Sequence, residues 1–253
     1  MRRTLRVLGV GWLLHVKLAT TSAFNGILSV LYPLFFATVA FFMFDESALL
    51  YASLGAAVMG IWGATSTAAG AAMQHERRQG TLELLVSAPV PFALVLLPIT
   101  VALATMGVYS MVATLLWGRL LFGIELTIEQ PLAFAVAIPA TIVTIGALGF
   151  LFAVSFVRYR RAWALGNLFE YPVWLICGFL VPLSLFPDWV RPISWALAPT
   201  WGMNAIRDAA LGGNPWPDLA AAGALGAAYV LLGLLVLERM LDAARARAVL
   251  ALT

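Results

Sequence analysis

Charged residues divide the chain into six long uncharged runs: Leu18–Phe44, Ser47–His75, Leu84–Gly118, Gln130–Val157, Tyr171–Pro187 and Leu219–Leu237. A membrane-crossing helix needs about 20 apolar residues, and two helices with a turn need about 40. Each run therefore fits one crossing and none fits two. Barrel strands alternate apolar and polar positions over about ten residues, whereas these runs are continuously apolar. The pattern predicts six transmembrane helices, at 25–44, 50–73, 92–117, 132–157, 169–186 and 219–237. The fifth has the shortest run and contains Pro182.

Composition settles the solvent. Hydrophobic residues make up 62% of the 253 and charged residues 11%, against roughly 25% charged in an average soluble domain. Too few polar groups remain to cover a water-exposed exterior. The chain is read as an all-α integral membrane protein with the lipid bilayer as its surroundings, and as one domain over 1–253.

Charge then orients it. An even number of crossings puts both termini on one side. That side holds Arg2, Arg3, Arg6, Lys17, Arg77, Arg78, Arg158, Arg160, Arg161, Arg239, Arg245 and Arg247, while the other holds Arg119, Arg191 and Arg207. The excess of basic residues marks the cytoplasmic face, so both termini are expected there. The net charge of +3 is thus a topology signal. No basic stripe with interleaved aromatics occurs, and no nucleic-acid partner is expected.

Ahead of the first crossing, Arg2, Arg3, Arg6 and Lys17 cluster on one arc of a helical wheel, with Leu5, Leu8, Trp12 and Val16 outside it. This predicts an amphipathic helix in the cytoplasmic interface over 1–24. A cleaved signal peptide fits less well, because His15 and Lys17 interrupt the apolar stretch before any small-residue cleavage site.

Within the second crossing, Ala52, Ala56, Gly60, Ala64, Ala68 and Ala72 form a seam of small residues at every fourth position. Such a seam lets helix backbones approach closely, against a helix of the same chain or near a dimer axis or pore. Trp62, Tyr171, Trp174 and Phe179 place rings in the second and fifth crossings. They are either ordinary packing side chains or the lining of a path for hydrophobic cargo. Glu170 is the one acid that could lie within membrane depth, and acids there are functional candidates; the other reading has it facing headgroups. The lone Cys177 can form no internal disulfide, and its oxidation is expected to link two copies if the fifth helix lines their interface.

Between the last two crossings the chain carries Pro187, Pro192, Pro199, Pro215 and Pro217 among Trp189, Trp195 and Trp201. It is too proline-rich for one helix and too apolar for a solvated loop. Short helical pieces dipping into the outer interface over 187–214 satisfy both constraints, with Arg207 and Asp208 at their watery end.

One cytoplasmic loop carries a motif. Glu76-Arg77-Arg78-Gln79-Gly80-Thr81-Leu82-Glu83-Leu84-Leu85, followed by Ala88-Pro89, resembles the E-R-x-x-G-T-L-E-x-L-L stretch of ABC-2-type permeases, daunorubicin-resistance permeases among them. Phe186-Pro187, Pro192-Ile193, Pro199-Thr200 and Ala205-Ile206-Arg207 resemble that family's segment before its last helix. The resemblance covers essentially the whole chain.

It implies a non-catalytic permease subunit of an exporter in a bacterial inner membrane, with two permeases, identical or different, each docking an ATP-hydrolysing subunit. The implied coupling helix is 76–88, with Glu76, Arg77, Arg78, Gly80, Thr81, Leu82, Glu83 and Leu84 at the docking site. Gly60, Trp62, Ala64, Glu170, Tyr171, Trp174 and Phe179 would line the central interface or substrate path. Pro187, Pro199 and Arg207 would belong to the outer gate. No G-x-x-x-x-G-K-[ST] loop occurs, so ATP and Mg are expected on the partner and no cofactor on this chain. The implied cargo is hydrophobic or amphipathic: a drug, antibiotic or lipid-like molecule. The alternative is a secondary transporter or channel driven by an ion gradient, a class marked by mid-membrane ionisable groups and broken helices in matched halves; no internal repeat is present here.

Overall fold

A computed structural model describes the backbone of residues 2–21, 23–44, 49–80, 91–156 and 162–247. The described residues form α1 (Arg2–Thr20), α2 (Ala23–Met43), α3 (Leu49–Gln79), α4 (Ala93–Phe122), α5 (Pro131–Phe156), α6 (Ala162–Ile176), α7 (Val190–Trp195), α8 (Ala198–Leu211) and α9 (Pro215–Arg247). Among the described residues, four helices contain windows long and apolar enough to cross a membrane: Leu49–Ser66, Ala93–Phe122, Pro131–Ser155 and Pro215–Met240. In α2 a shorter apolar stretch, Leu34–Met43, meets the same apolar character. The protein is an all-α, multi-pass membrane bundle.

α3 is its axis. Val58, Met59, Ile61 and Trp62 are fully buried there, against α4, α5 and α6. The small seam explains how neighbours come so close. Ala52 and Ala56 share a cluster with Ala37, Ala40 and Phe41 of α2. A side chain on Gly107 of α4 would put its Cβ 2.3 Å from the Ile61 Cα, so these two helix backbones touch. At its far end from Gly80, the bundle carries the loop 123–130 and the turn 212–214.

α1 lies against α4. Trp12 donates its indole N–H to Thr105 Oγ1 at 3.1 Å, and a Cβ on Gly11 would meet Pro98 at 3.2 Å. Arg6 and Lys17 stay exposed. The amphipathic reading thus describes a helix docked through Trp12.

Two expected boundaries move. The fifth crossing, expected over 169–186, begins at Ala162 and stops at Ile176. Gly178 takes a left-handed φ of +71°, a conformation open to glycine at little cost, and the chain turns away before Pro182. The resulting 15 residues reach only about 22 Å. The coupling helix, expected from Glu76, does not begin there: residues 76–79 continue α3, which ends at Gly80 with φ +69°.

Candidate functional site

On α6, Glu170 and Trp174 are one turn apart and share a face, which turns toward α3. Both are buried, Glu170 to 7% exposure. A Cβ built on Gly63 of α3 would lie 2.9 Å from Glu170 Oε1, so the carboxyl group rests on the α3 backbone. Gly63 sits fourteen residues from Leu49 and sixteen from Gln79, close to the middle of a helix about 46 Å long. Glu170 therefore lies beside Gly63, three residues inside the C-terminal end of the Leu49–Ser66 window.

Aromatic rings surround that level. Trp174 meets Phe36 at 5.2 Å and Tyr171 at 5.0 Å between centroids. Trp62 meets Phe152 at 6.0 Å, and Phe152 stacks on Phe169 at 5.3 Å. Edge-to-face pairs at such distances are favourable beyond simple burial. Trp62 and Phe179 lie wholly inside the chain's own core, Gly60 is buried and Ala64 half-buried. Tyr171 is different: at 49% exposure it faces outward from α6, beside the exposed Leu168, Phe169 and Leu175.

α7 and α8 form a hairpin. α8 runs beside α9, and the turn between α7 and α8 reaches Tyr229, fourteen residues into α9, about 21 Å from that helix's start. The hairpin is thus reentrant. Its turn would leave backbone groups unpaired in an apolar setting, which is costly. Tyr229 supplies both partners: its hydroxyl accepts the Ala198 N–H at 3.0 Å and donates to the Ala196 carbonyl. Thr200 Oγ1 donates to Ser194 O at 2.7 Å, and Thr141 of α5 donates to Gly202 O at 3.3 Å. Pro199 is buried in the first turn of α8, where a missing N–H is harmless. Pro187 is exposed ahead of α7.

Arg207 corrects an expectation. It does not sit at a watery end with Asp208 but points into the protein, 6% exposed. Its Nη1 donates to Gly178 O at 2.7 Å and its Nη2 to Phe179 O at 2.6 Å. The guanidinium carbon stands 3.3 Å from the Tyr51 ring centroid. The reason is helical register: Arg207 continues the stripe of Thr200 and Met203, both buried. Cys177 likewise lies in the interior, 1% exposed, so it cannot join two copies through a surface contact.

Of the docking residues, Glu76, Arg77 and Arg78 fall in the last turn of α3 and Gly80 at its end. Thr81, Leu82, Glu83 and Leu84 lie outside the described residues, as does the rest of the expected coupling helix. Sequence reasoning missed Tyr51, Gly55, Thr141 and Tyr229. Each acts on a residue 60 or more positions away or across a helix pair, and no local motif marks that.

No curated protein matches the chain's sequence. The profile of the ABC-2 type transporter family matches residues 12–211, from the docked α1 through the reentrant α8. With a helical bundle beneath that match, the chain belongs to the ABC-2 type transporter family as a membrane permease component of an ABC transporter.

Proposed function

We propose that this permease is the membrane half of an exporter, in a bacterial inner membrane with both termini cytoplasmic. A separate subunit hydrolyses ATP with Mg and docks at 76–88. The family match across residues 12–211 carries this reading, because it takes in both the cytoplasmic motif and the hairpin. Two permeases, identical or different, stand side by side, each with its ATPase. The outward face of α6, with Tyr171, Leu168 and Leu175 exposed, is the surface left to meet a second permease or the cargo. Trp62, Trp174 and Phe179 support that surface from behind. A hydrophobic or amphipathic cargo suits the rings around Glu170. The far-end hairpin closes the path on the external side.

The test is ATP hydrolysis by the purified complex in lipid nanodiscs. The reading expects vanadate-sensitive hydrolysis that rises with lipophilic drugs or lipid-like amphipaths. Hydrolysis indifferent to every such compound would refute the assigned cargo class.

A further inference from the structure

α8 is held on two sides, and by different chemistry. Toward α5 and α9 the ties are many and spread along its length. Tyr229 and Thr141 hold its first turns. At its other end Gln130 N–H bonds Ala209 O at 3.0 Å, Glu129 N–H bonds Ala210 O at 3.1 Å, and Gln130 Nε2 bonds Gly213 O at 2.7 Å. A Cβ on Gly202 would fall 2.6 Å from the Thr141 side chain, so α5 packs through Thr141 directly on the α8 backbone. These three helices pack together, and α5 in turn packs on α3, where a Cβ on Gly149 would lie 2.6 Å from Thr65 Cγ2.

Toward α3 and the end of α6, Arg207 reaches across. It grips the Gly178 and Phe179 carbonyls, extends Nη2 to Tyr51 O at 3.4 Å, and lies on the Tyr51 ring. The node is tight, since a Cβ on Gly55 would come 1.6 Å from Phe179 O and 2.8 Å from Arg207 Nη2. Yet this cation is held by neutral carbonyls and a ring face. Arg191 pairs with Asp188, one helix away from Arg207. The Nε of Arg207 is buried with no hydrogen-bond partner.

A buried charge satisfied in this way is suited to release. A carboxylate partner would deepen the trap, because separating a buried ion pair strands two charges. Separating Arg207 from Gly178 and Phe179 leaves one charge to be hydrated instead of two, together with its idle Nε and two neutral carbonyls. We propose that Arg207 is a positioning residue, the releasable latch that ties α8 to α3 and the end of α6, and that its release opens the far end of the permease. The proposal rests on the hairpin's assignment as the external closure. It does not depend on which cargo passes or on what drives the cycle.

Cys177 reports on the latch, being fully buried beside the Gly178 carbonyl that Arg207 holds. Labelling by a water-soluble maleimide is followed in nanodiscs without nucleotide. In R207Q the labelling rate should rise at least about tenfold over the unaltered protein, as a larger open population dictates. R207K keeps the charge but lacks the fork that spans two carbonyls, and its rate should fall between. Thr141→Val, which cuts the tie between α5 and α8 and leaves the Arg207 contacts in place, should leave the rate unchanged. A folded R207Q that labels at the original rate overturns the latch, and so does T141V labelling as fast as R207Q. Should R207Q fail to insert, R207K decides alone: at least about threefold faster labelling supports the latch, and the original rate refutes it. Capture of an ATPase subunit tests the exporter reading separately, so the two can fail independently.

Discussion

Replacing Tyr229 by Phe removes one oxygen from the middle of α9 and keeps the ring. That ring is buried at 7% exposure, so shape and packing stay as they were. Two backbone groups lose their partner: the Ala198 N–H, at the open start of α8, and the Ala196 carbonyl, at the end of α7. A buried polar group left unpaired costs about 1–3 kcal/mol. Measured hydrogen bonds between membrane helices average lower, near 0.6 and at most about 1.7 kcal/mol, because the unfolded chain in the membrane also finds partners. With two groups affected, Y229F should destabilise the permease by about 1–3 kcal/mol. Unfolding in mixed micelles, driven by added dodecyl sulfate and followed by circular dichroism, reads this directly. Tyr109→Phe is the control, since Tyr109 is exposed on α4, and it should change stability by less than about 0.5 kcal/mol. If Y229F matches that control, the reentrant turn is not held by Tyr229 and the account of the hairpin is wrong.

Other substitutions test other parts. Gly55→Ala should abolish the folded protein, because its Cβ has no room beside the Phe179 carbonyl; Gly9→Ala, with nothing within 4 Å of the new Cβ, should fold normally, and equal yields of the two would refute the tight node. Cys177 in the unaltered protein should resist a water-soluble maleimide and should not crosslink two copies on oxidation; a disulfide-linked dimer under native conditions would contradict its burial. Glu83→Arg should lower substrate-stimulated ATP hydrolysis by the partner while leaving the permease's melting temperature unchanged; undiminished stimulation would remove Glu83 from the coupling site.

What could be read from the sequence was what repeats or stands locally. Uncharged runs located α3, α4, α5 and α9 to within a few residues at most ends, because a helix in lipid satisfies its own backbone and needs only apolar side chains. The exception is where α3 and α9 continue as helix past their apolar windows, through Gln79 and Arg247. The proline-rich segment was legible as short helical pieces, which α7 and α8 are. The end of α6 was not, since Val181 to Leu185 is as apolar as the helix before it and the turn depends on Gly55 and Arg207 closing around Phe179. Arg207 itself misleads, because an arginine next to an aspartate near a loop suggests water. Only the carbonyls of residues some 28 positions earlier draw it inward. Glu170 stands between two readings in the sequence, and the structure adds that its carboxyl group is buried against Gly63 of α3.

The central claim is that this permease works with a separate ATP-hydrolysing subunit. Its most direct test is purification of the tagged chain from its native membrane in mild detergent, with mass spectrometry of what accompanies it. The account predicts an ATP-binding-cassette subunit in near-equal amount, together with any second, different permease if the pair is a heterodimer. A chain recovered without any ATPase, yet active in transport driven by a proton gradient, would contradict it.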